Sequence, residues 1–158
     1  MGEGGGRAHR GRRAAGAGAI LWGPPRADGT RKVRAKAVVA LPNVPHAQVA
    51  EAWGGSAAVT LLTAIPAEVR LAKVIGDNLG VVRYGAETGA LRNPAMHQPL
   101  AEALATAAEK GWSLRWRAVR RRLNKAADEV ATEGVWWAHR LAAQGVTAPR
   151  TRVTWFDT

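Results

Sequence analysis

The chain has 158 residues, enough for one domain with its own core, and its 47% apolar content argues against a disordered protein. The 23 Lys and Arg residues outnumber the 12 Asp and Glu residues, giving a formal net charge of +11 and favouring polyanionic partners, nucleic acid before anionic membrane. The absence of cysteine excludes disulfides and thiolate chemistry and fits an intracellular, cytoplasmic or nuclear location, and no apolar run is long enough to predict a membrane span.

The first half of the chain predicts a hairpin followed by a helix and a strand. A glycine- and arginine-rich start, 1–13, precedes two strands at 14–22 and 32–41, the second with apolar residues at alternate positions. Helical spacing of apolar residues then predicts a helix at 45–65, and residues 69–76 form a short apolar strand.

The second half adds two helices around one more strand. Helices are predicted at 93–111 and at 124–145, where Asn124 suits the N-cap. Between them, 112–119 alternates as a half-buried strand, and the tail 146–158 is expected to be loose or to dock by its aromatic side chains. This order predicts a mixed α/β domain, at 14–145, in which helices cover a sheet.

Three carboxylates stand on three different predicted elements. Asp77 ends an apolar strand, where ligands of α/β sheets gather. Glu51 shares its helix face with small and apolar residues, and Asp128 lies in the first turn of the last helix, where the helix dipole favours an anion. Each also has a purely structural interpretation: Glu51 as an amphipathic-helix residue, Asp77 as the cap of the NLGVVRYG helix, and Asp128 as a first-turn acid.

Four segments resemble the type 1 ribonuclease H domains, especially the divergent branch carried by plant and retrotransposon reverse transcriptases. They are AAGAGAILW at 14–22, QVAEAWGGSAAVTLL at 48–62, VIGDN at 74–78 and RRRLNKAADEVAT at 120–132. The resemblance covers residues 14 to 145, and its last motif is the most specific. It implies a ribonuclease H-like, five-stranded mixed sheet flanked by helices, as one unit of a larger reverse transcriptase polyprotein.

The resemblance also implies an activity, namely endonucleolytic hydrolysis of the RNA strand of RNA/DNA hybrids. Glu51, Asp77 and Asp128 would hold two Mg²⁺ ions, with Mn²⁺ able to substitute. Hard cations of this kind prefer oxygen ligands, and a pair of them can activate water and stabilise the leaving oxygen.

The sequence departs from the family in two places. The family has an aspartate in its first strand, and the nearest match is Glu3, either as a replacement metal ligand in a catalytic site or as part of a truncated strand. Many members also carry a histidine in the loop before the last helix, and none stands between Val119 and Asp128, which predicts slow turnover.

Polar residues near the carboxylates are candidates for contact with nucleic acid. Asn78 follows Asp77 and is a candidate for reading the 2′-OH, and Asn124 lies in the last motif. A band of arginines suits phosphate contacts, with a solvated strand face as the alternative: Arg115, Arg117, Arg120, Arg121 and Arg122.

Tryptophans and histidines carry less functional weight in the sequence. Four of the seven tryptophans fit the core faces of predicted elements better than a base-stacking role: Trp22, Trp53, Trp112 and Trp116. The histidines lack the spacing of metal ligands and are predicted at the surface: His9, His46, His97 and His139.

Three functions remain open on the sequence alone. The first is a hybrid-cleaving nuclease, and the second is a catalytically inactive domain of the same fold that binds nucleic acid or survives as a retroelement remnant. The third is a basic scaffold protein without an active site. Convergence of Glu51, Asp77 and Asp128 would favour the first.

Overall fold

The computed structural model describes residues 12–87, 89 and 94–156. The predictions for Glu3 and His9 therefore lie outside the described residues. The helices and strands are, in chain order, β1 (Arg13–Trp22), β2 (Val33–Val44), α1 (Val49–Thr63), β3 (Leu71–Gly76), α2 (Leu79–Gly85), α3 (Pro94–Glu109), β4 (Ser113–Ala118), α4 (Lys125–Ala143) and β5 (Arg150–Trp155). Each predicted strand and helix is present within a few residues of its expected bounds. None of the helices in the described ranges is long and apolar enough to cross a membrane.

The described strands form two sheets. Three strands are antiparallel in the order β1, β2, β5, and β3 pairs in parallel with β4. Among the described residues no strand pairing joins β1 to β3, and α1 packs against both of them. The mixed α/β class with helices on a sheet is confirmed. A remnant of the first strand was predicted in residues 1–13, of which 1–11 lie outside the described ranges.

The tail differs from its expectation. Residues 150–155 form β5, which pairs antiparallel with residues 35–40 of β2. The tail is therefore not loose, and it docks by main-chain hydrogen bonds rather than by aromatic side chains, since Trp155 remains 49% exposed and Phe156 43% exposed. Strand propensity in the sequence RTRVTW was the available signal.

Strand β2 is buried on both faces. Ala35, Ala37 and Leu41 belong to the main core cluster, in which α1 also takes part. On the opposite face Ala40 packs with Ala138 and Leu141 of α4. The sheet thus lies between two helices, and small residues dominate where the helices approach most closely.

Glycines let α4 lie directly on β1. A Cβ atom built at Gly18 would stand 2.7 Å from the Ala131 nitrogen, and one at Gly134 would collide with the Val39 carbonyl oxygen. Neither site has room for a larger side chain without a backbone shift. The alternating GAGA pattern of β1 therefore fixes the depth of α4, and with it the position of the first turn that carries Asp128.

The aromatic and histidine predictions have mixed outcomes. Trp53, Trp112 and Trp116 pack against the core clusters as predicted. The core prediction was wrong for Trp22, which is 46% exposed at the end of β1, where the pairing with β2 shifts register. Of the described histidines, His97 and His139 are exposed and His46 is half-buried.

Candidate functional site

Three elements bring the predicted carboxylates to one region. Glu51 lies in the first turn of α1, Asp77 directly follows β3, and Asp128 lies in the first turn of α4. Helix α1 contacts β1 and β3, while α4 lies on β1 and β2. The hydrogen bond from Asn124, the residue before α4, to Asp77 ties the start of α4 to the end of β3.

Arg121 stands between two of these carboxylates. Its Nη2 lies 3.5 Å from Glu51 Oε1, and its Nε lies 3.8 Å from Asp77 Oδ2. The side chain of Asp77 is only 10% exposed and that of Glu51 34%, whereas that of Arg121 is 67% exposed. The guanidinium thus covers the carboxylates from the solvent side, and it comes from the short 3-10 turn Arg121–Leu123 that precedes α4.

Asn124 supports Asp77 from the other side of the same turn. Its Nδ2 donates a hydrogen bond to Asp77 Oδ2 at 3.4 Å. Asn124 occupies the predicted N-cap position of α4, but its side chain makes no capping hydrogen bond. The predicted cap position is correct, and the side chain is directed to the carboxylate instead of to the helix.

The surroundings of Glu51, including the two other acids, shift its pKa. Burial raises the pKa of Glu51 above its ordinary value, and the negative charge of Asp77 raises it further. Arg121 opposes this shift, and Asp128 adds a smaller contribution in the raising direction. Glu51 therefore lies close enough to Asp77 and Asp128 for their negative charges to oppose its ionisation.

These side chains suit a hard cation without closing around one. In the described part of the chain, no three Asp, Glu or His residues stand close enough together to hold a single metal ion. The donor chemistry nevertheless fits Mg²⁺, which takes oxygen ligands and keeps several waters. Arg121 already places a positive charge against Glu51 and Asp77.

The predicted nucleic-acid contacts fall into two groups. Arg120 and Arg122 are exposed beside the carboxylates, where phosphate groups could reach them. Asn78 caps α2, its side-chain oxygen accepting the Val81 N–H at 3.0 Å. The cap interpretation of Asp77 was therefore wrong by one residue, because Asn78 performs that role. Sequence reasoning also missed the contact of Arg121 with the acids, since nothing in the run RRR distinguishes its members.

Comparison with solved structures identifies the fold. The N-terminal RNase H domain of Rv2228c from Mycobacterium tuberculosis superposes with a TM-score of 0.59 and 22% identity, over 85% of this chain and 96% of that domain. LC11-RNase H1, isolated from compost, gives a TM-score of 0.52 and 18% identity, over 82% of this chain and 99% of that one. No family model and no curated protein sequence matches the chain.

The chain is an α/β protein in which helices flank mixed strand pairings. More specifically, it has the fold of the type 1 ribonuclease H domains, as its motifs predicted.

Proposed function

We propose that the protein is an endonuclease that hydrolyses the RNA strand of RNA/DNA hybrids, with Glu51, Asp77 and Asp128 as the ligands of two Mg²⁺ ions. The contact of Arg121 with both Glu51 and Asp77, at 3.5 and 3.8 Å, carries the proposal, because it brings two of these acids together on the ribonuclease H fold. The negative charge of Asp128 also helps to raise the pKa of Glu51. The fold alone would not support a reaction, since the same fold can serve different functions.

Each side chain has a definite task in this proposal. Asp77 is the most buried of the three carboxylates, and the amide of Asn124 donates a hydrogen bond that holds one of its oxygens in place. Glu51 must be deprotonated to bind a cation, and a positive charge placed beside it would reverse the rise in its pKa. Mg²⁺ held by these residues would supply a nucleophile from water and stabilise the leaving 3′-oxygen.

Arg121 has two positions in this proposal. Without a divalent cation it neutralises Glu51 and Asp77. When cations bind, its highly exposed side chain can leave the carboxylates and contact the phosphate backbone together with Arg120 and Arg122. Such contacts do not depend on sequence, so discrimination of RNA from DNA must come from groups that reach the 2′-OH. Asn78 remains a candidate through its amide nitrogen.

Further parts of the proposal rest on sequence alone. Glu3 would supply a fourth ligand, and the loop between Val119 and Asp128 lacks the histidine that aids product release in many members, so turnover would be slow. The plant and retrotransposon branch, a parent reverse transcriptase polyprotein, and a cytoplasmic or nuclear location complete the proposal.

A hybrid-cleavage assay tests the activity. The RNA strand of an RNA/DNA hybrid is labelled, and cleavage with Mg²⁺ is followed for the wild type, Asp77→Asn and Glu133→Gln. We expect Asp77→Asn to lose activity and Glu133→Gln to keep it, because Glu133 pairs with Lys36 at 3.3 Å, on the sheet rather than among the three acids. Equal cleavage by all three proteins would contradict the proposal.

The second candidate function is hybrid binding without cleavage. The arginine lying between two would-be ligands, and the lack of a closed three-residue cluster among the described residues, favour it. Retention of labelled hybrid by a wild type that cuts nothing with Mg²⁺ or Mn²⁺ would select this alternative.

A further inference from the structure

Three exposed aromatic residues lie at one end of the three-stranded sheet. Trp22 ends β1 and pairs with Val33, and Trp155 ends β5 and pairs with Ala35. The N–H of Phe156 donates to the Arg34 carbonyl oxygen at 2.9 Å. The strand register therefore gathers Trp22, Trp155 and Phe156 at the same end, which we call the aromatic end.

These rings are not buried as large aromatic side chains usually are. Trp22 is 46% exposed, Trp155 49% and Phe156 43%, and Val153 on the same outer strand is 41% exposed. Trp53, Trp112 and Trp116, by contrast, pack against core clusters. Strands β1 and β5 flank β2, so Trp22 on β1 and Trp155 on β5 are separated by two strand spacings, about 10 Å. Several apolar faces are thus available to one extended ligand.

The charge around the aromatic end is strongly positive. Within residues 22–36 and 150–156 the cations are Arg26, Arg31, Lys32, Arg34, Lys36, Arg150 and Arg152. The one acid in these two ranges is Asp28, whose carboxylate accepts hydrogen bonds from Thr30. Lys36 is engaged by Glu133, and the guanidinium of Arg152 lies 4.7 Å from the ring of Trp137. The ligand that suits this surface is an anion that also presents flat apolar faces.

We propose that the aromatic end binds single-stranded nucleic acid. Unpaired bases can stack on Trp22, Trp155 and Phe156 while the phosphates meet the surrounding cations, which is the combination that single-strand binding surfaces use. A duplex keeps its bases stacked inside and cannot offer their faces. The surface is formed by β1, β2 and β5 and includes none of the three carboxylates, so this binding does not require the nuclease proposal.

Binding of a fluorescently labelled, unstructured oligonucleotide tests the inference. Anisotropy is measured with EDTA present, so that divalent cations contribute nothing. We expect Trp22→Ala and Trp155→Ala each to weaken binding by about fivefold or more, the equivalent of one stacked base. Trp136→Ala is the matched control and should change nothing, because Trp136 is 63% exposed but lies on α4. Equal affinity of wild type and the Trp22→Ala, Trp155→Ala double variant would overturn the inference.

Two further measurements separate stacking from other causes. Replacing both tryptophans by phenylalanine keeps the flat faces and should retain much of the affinity, whereas losses as large as with alanine would overturn the inference. Arg34→Ala should reduce the slope of log affinity against log salt by about 0.7 if it meets one phosphate. A wild-type dimer in sedimentation that the double alanine variant abolishes would instead identify a self-association surface. Asp77→Asn should bind the oligonucleotide normally, so loss of nuclease activity leaves this inference standing.

Discussion

At the scale of single residues, Arg121 would compete with a divalent cation for the carboxylates of the proposed nuclease. Its guanidinium contacts both Glu51 and Asp77 at 3.5 and 3.8 Å. A divalent ion must displace this contact to bind the same oxygens. Because the arginine side chain is 67% exposed, solvent screens the pair, and its strength is about 1 kcal/mol rather than that of a buried ion pair.

Replacing Arg121 should therefore strengthen metal binding. We expect Arg121→Ala to bind Mg²⁺ about fivefold more tightly in calorimetric titrations without nucleic acid, by the removal of a competing cation. Arg122→Ala removes the same charge from the next residue and tests the long-range effect alone. If both variants gain the same affinity for Mg²⁺, the contact of Arg121 with the carboxylates is unimportant. If Arg121→Ala binds Mg²⁺ more weakly than the wild type, the arginine supports the site instead of competing with the ion.

The sequence indicated which acids to examine but not how they are paired. Strand-end position and helix-face neighbours selected Asp77, Glu51 and Asp128, and these are local properties that a sequence carries. The choice of Arg121 from three consecutive arginines depends on the direction of a 3-10 turn, which is set by tertiary packing. The same limit explains Asn124, whose cap position was predictable and whose partner, Asp77, 47 residues away, was not.

At the scale of elements, the contact of α4 with β1 depends on glycine at positions that include Gly134, although glycine inside a helix is ordinarily destabilising. Gly134 lies in the middle of α4, and replacing a helical glycine by alanine ordinarily stabilises a protein by about 1 kcal/mol. At this position a Cβ would collide with the Val39 carbonyl oxygen and stand 3.1 Å from the Gly16 Cα. Backbone atoms cannot turn aside as a flexible side chain can, so α4 would have to move off the strand.

Gly134→Ala should therefore lower the free energy of unfolding by about 2 kcal/mol, as overpacking of a close contact does. Gly54→Ala in α1 is the matched control, since a Cβ there would meet Gly18 O at 3.5 Å and Ala17 Cβ at 4.0 Å, which are ordinary contacts. We expect the control to be neutral or slightly stabilising. Chemical denaturation measures both, and similar stabilities for the two variants would show that α4 can shift freely.

The burial of a strand could be predicted from its sequence pattern when one face is buried, and less well when both faces are buried. Alternation in 32–41 identified the face of β2 that belongs to the main core. The opposite face carries Lys32, Arg34 and Lys36, yet Val38 and Ala40 on that face are buried. The periodicity of β2 does not predict that α4, which begins only at Lys125, covers this face.

At the scale of the whole molecule, β5 extends the sheet beyond the region that the family motifs cover. Residues 35–40 of β2 are paired with β1 on one side and with β5 on the other, and Ala35 and Ala40 are completely buried. The resemblance ends at residue 145, so by itself it predicts that 14–145 is the complete domain. Without β5 this edge of β2 would be open, and an open edge of apolar residues promotes association between chains.

A chain that ends at Gly145 should thus be less stable than the full chain and should self-associate as its concentration rises. Thermal denaturation and light scattering measure the two effects. Trp155→Ala is the control, because it removes an exposed ring while leaving the main-chain pairing of β5 intact. If the shortened chain melts at the same temperature as the full chain and stays monomeric, then β5 does not contribute to stability, and residues 14–145 fold independently of it. If the shortened chain melts at a lower temperature and self-associates while Trp155→Ala does neither, the sheet needs β5 for its stability, even though no family motif includes this strand.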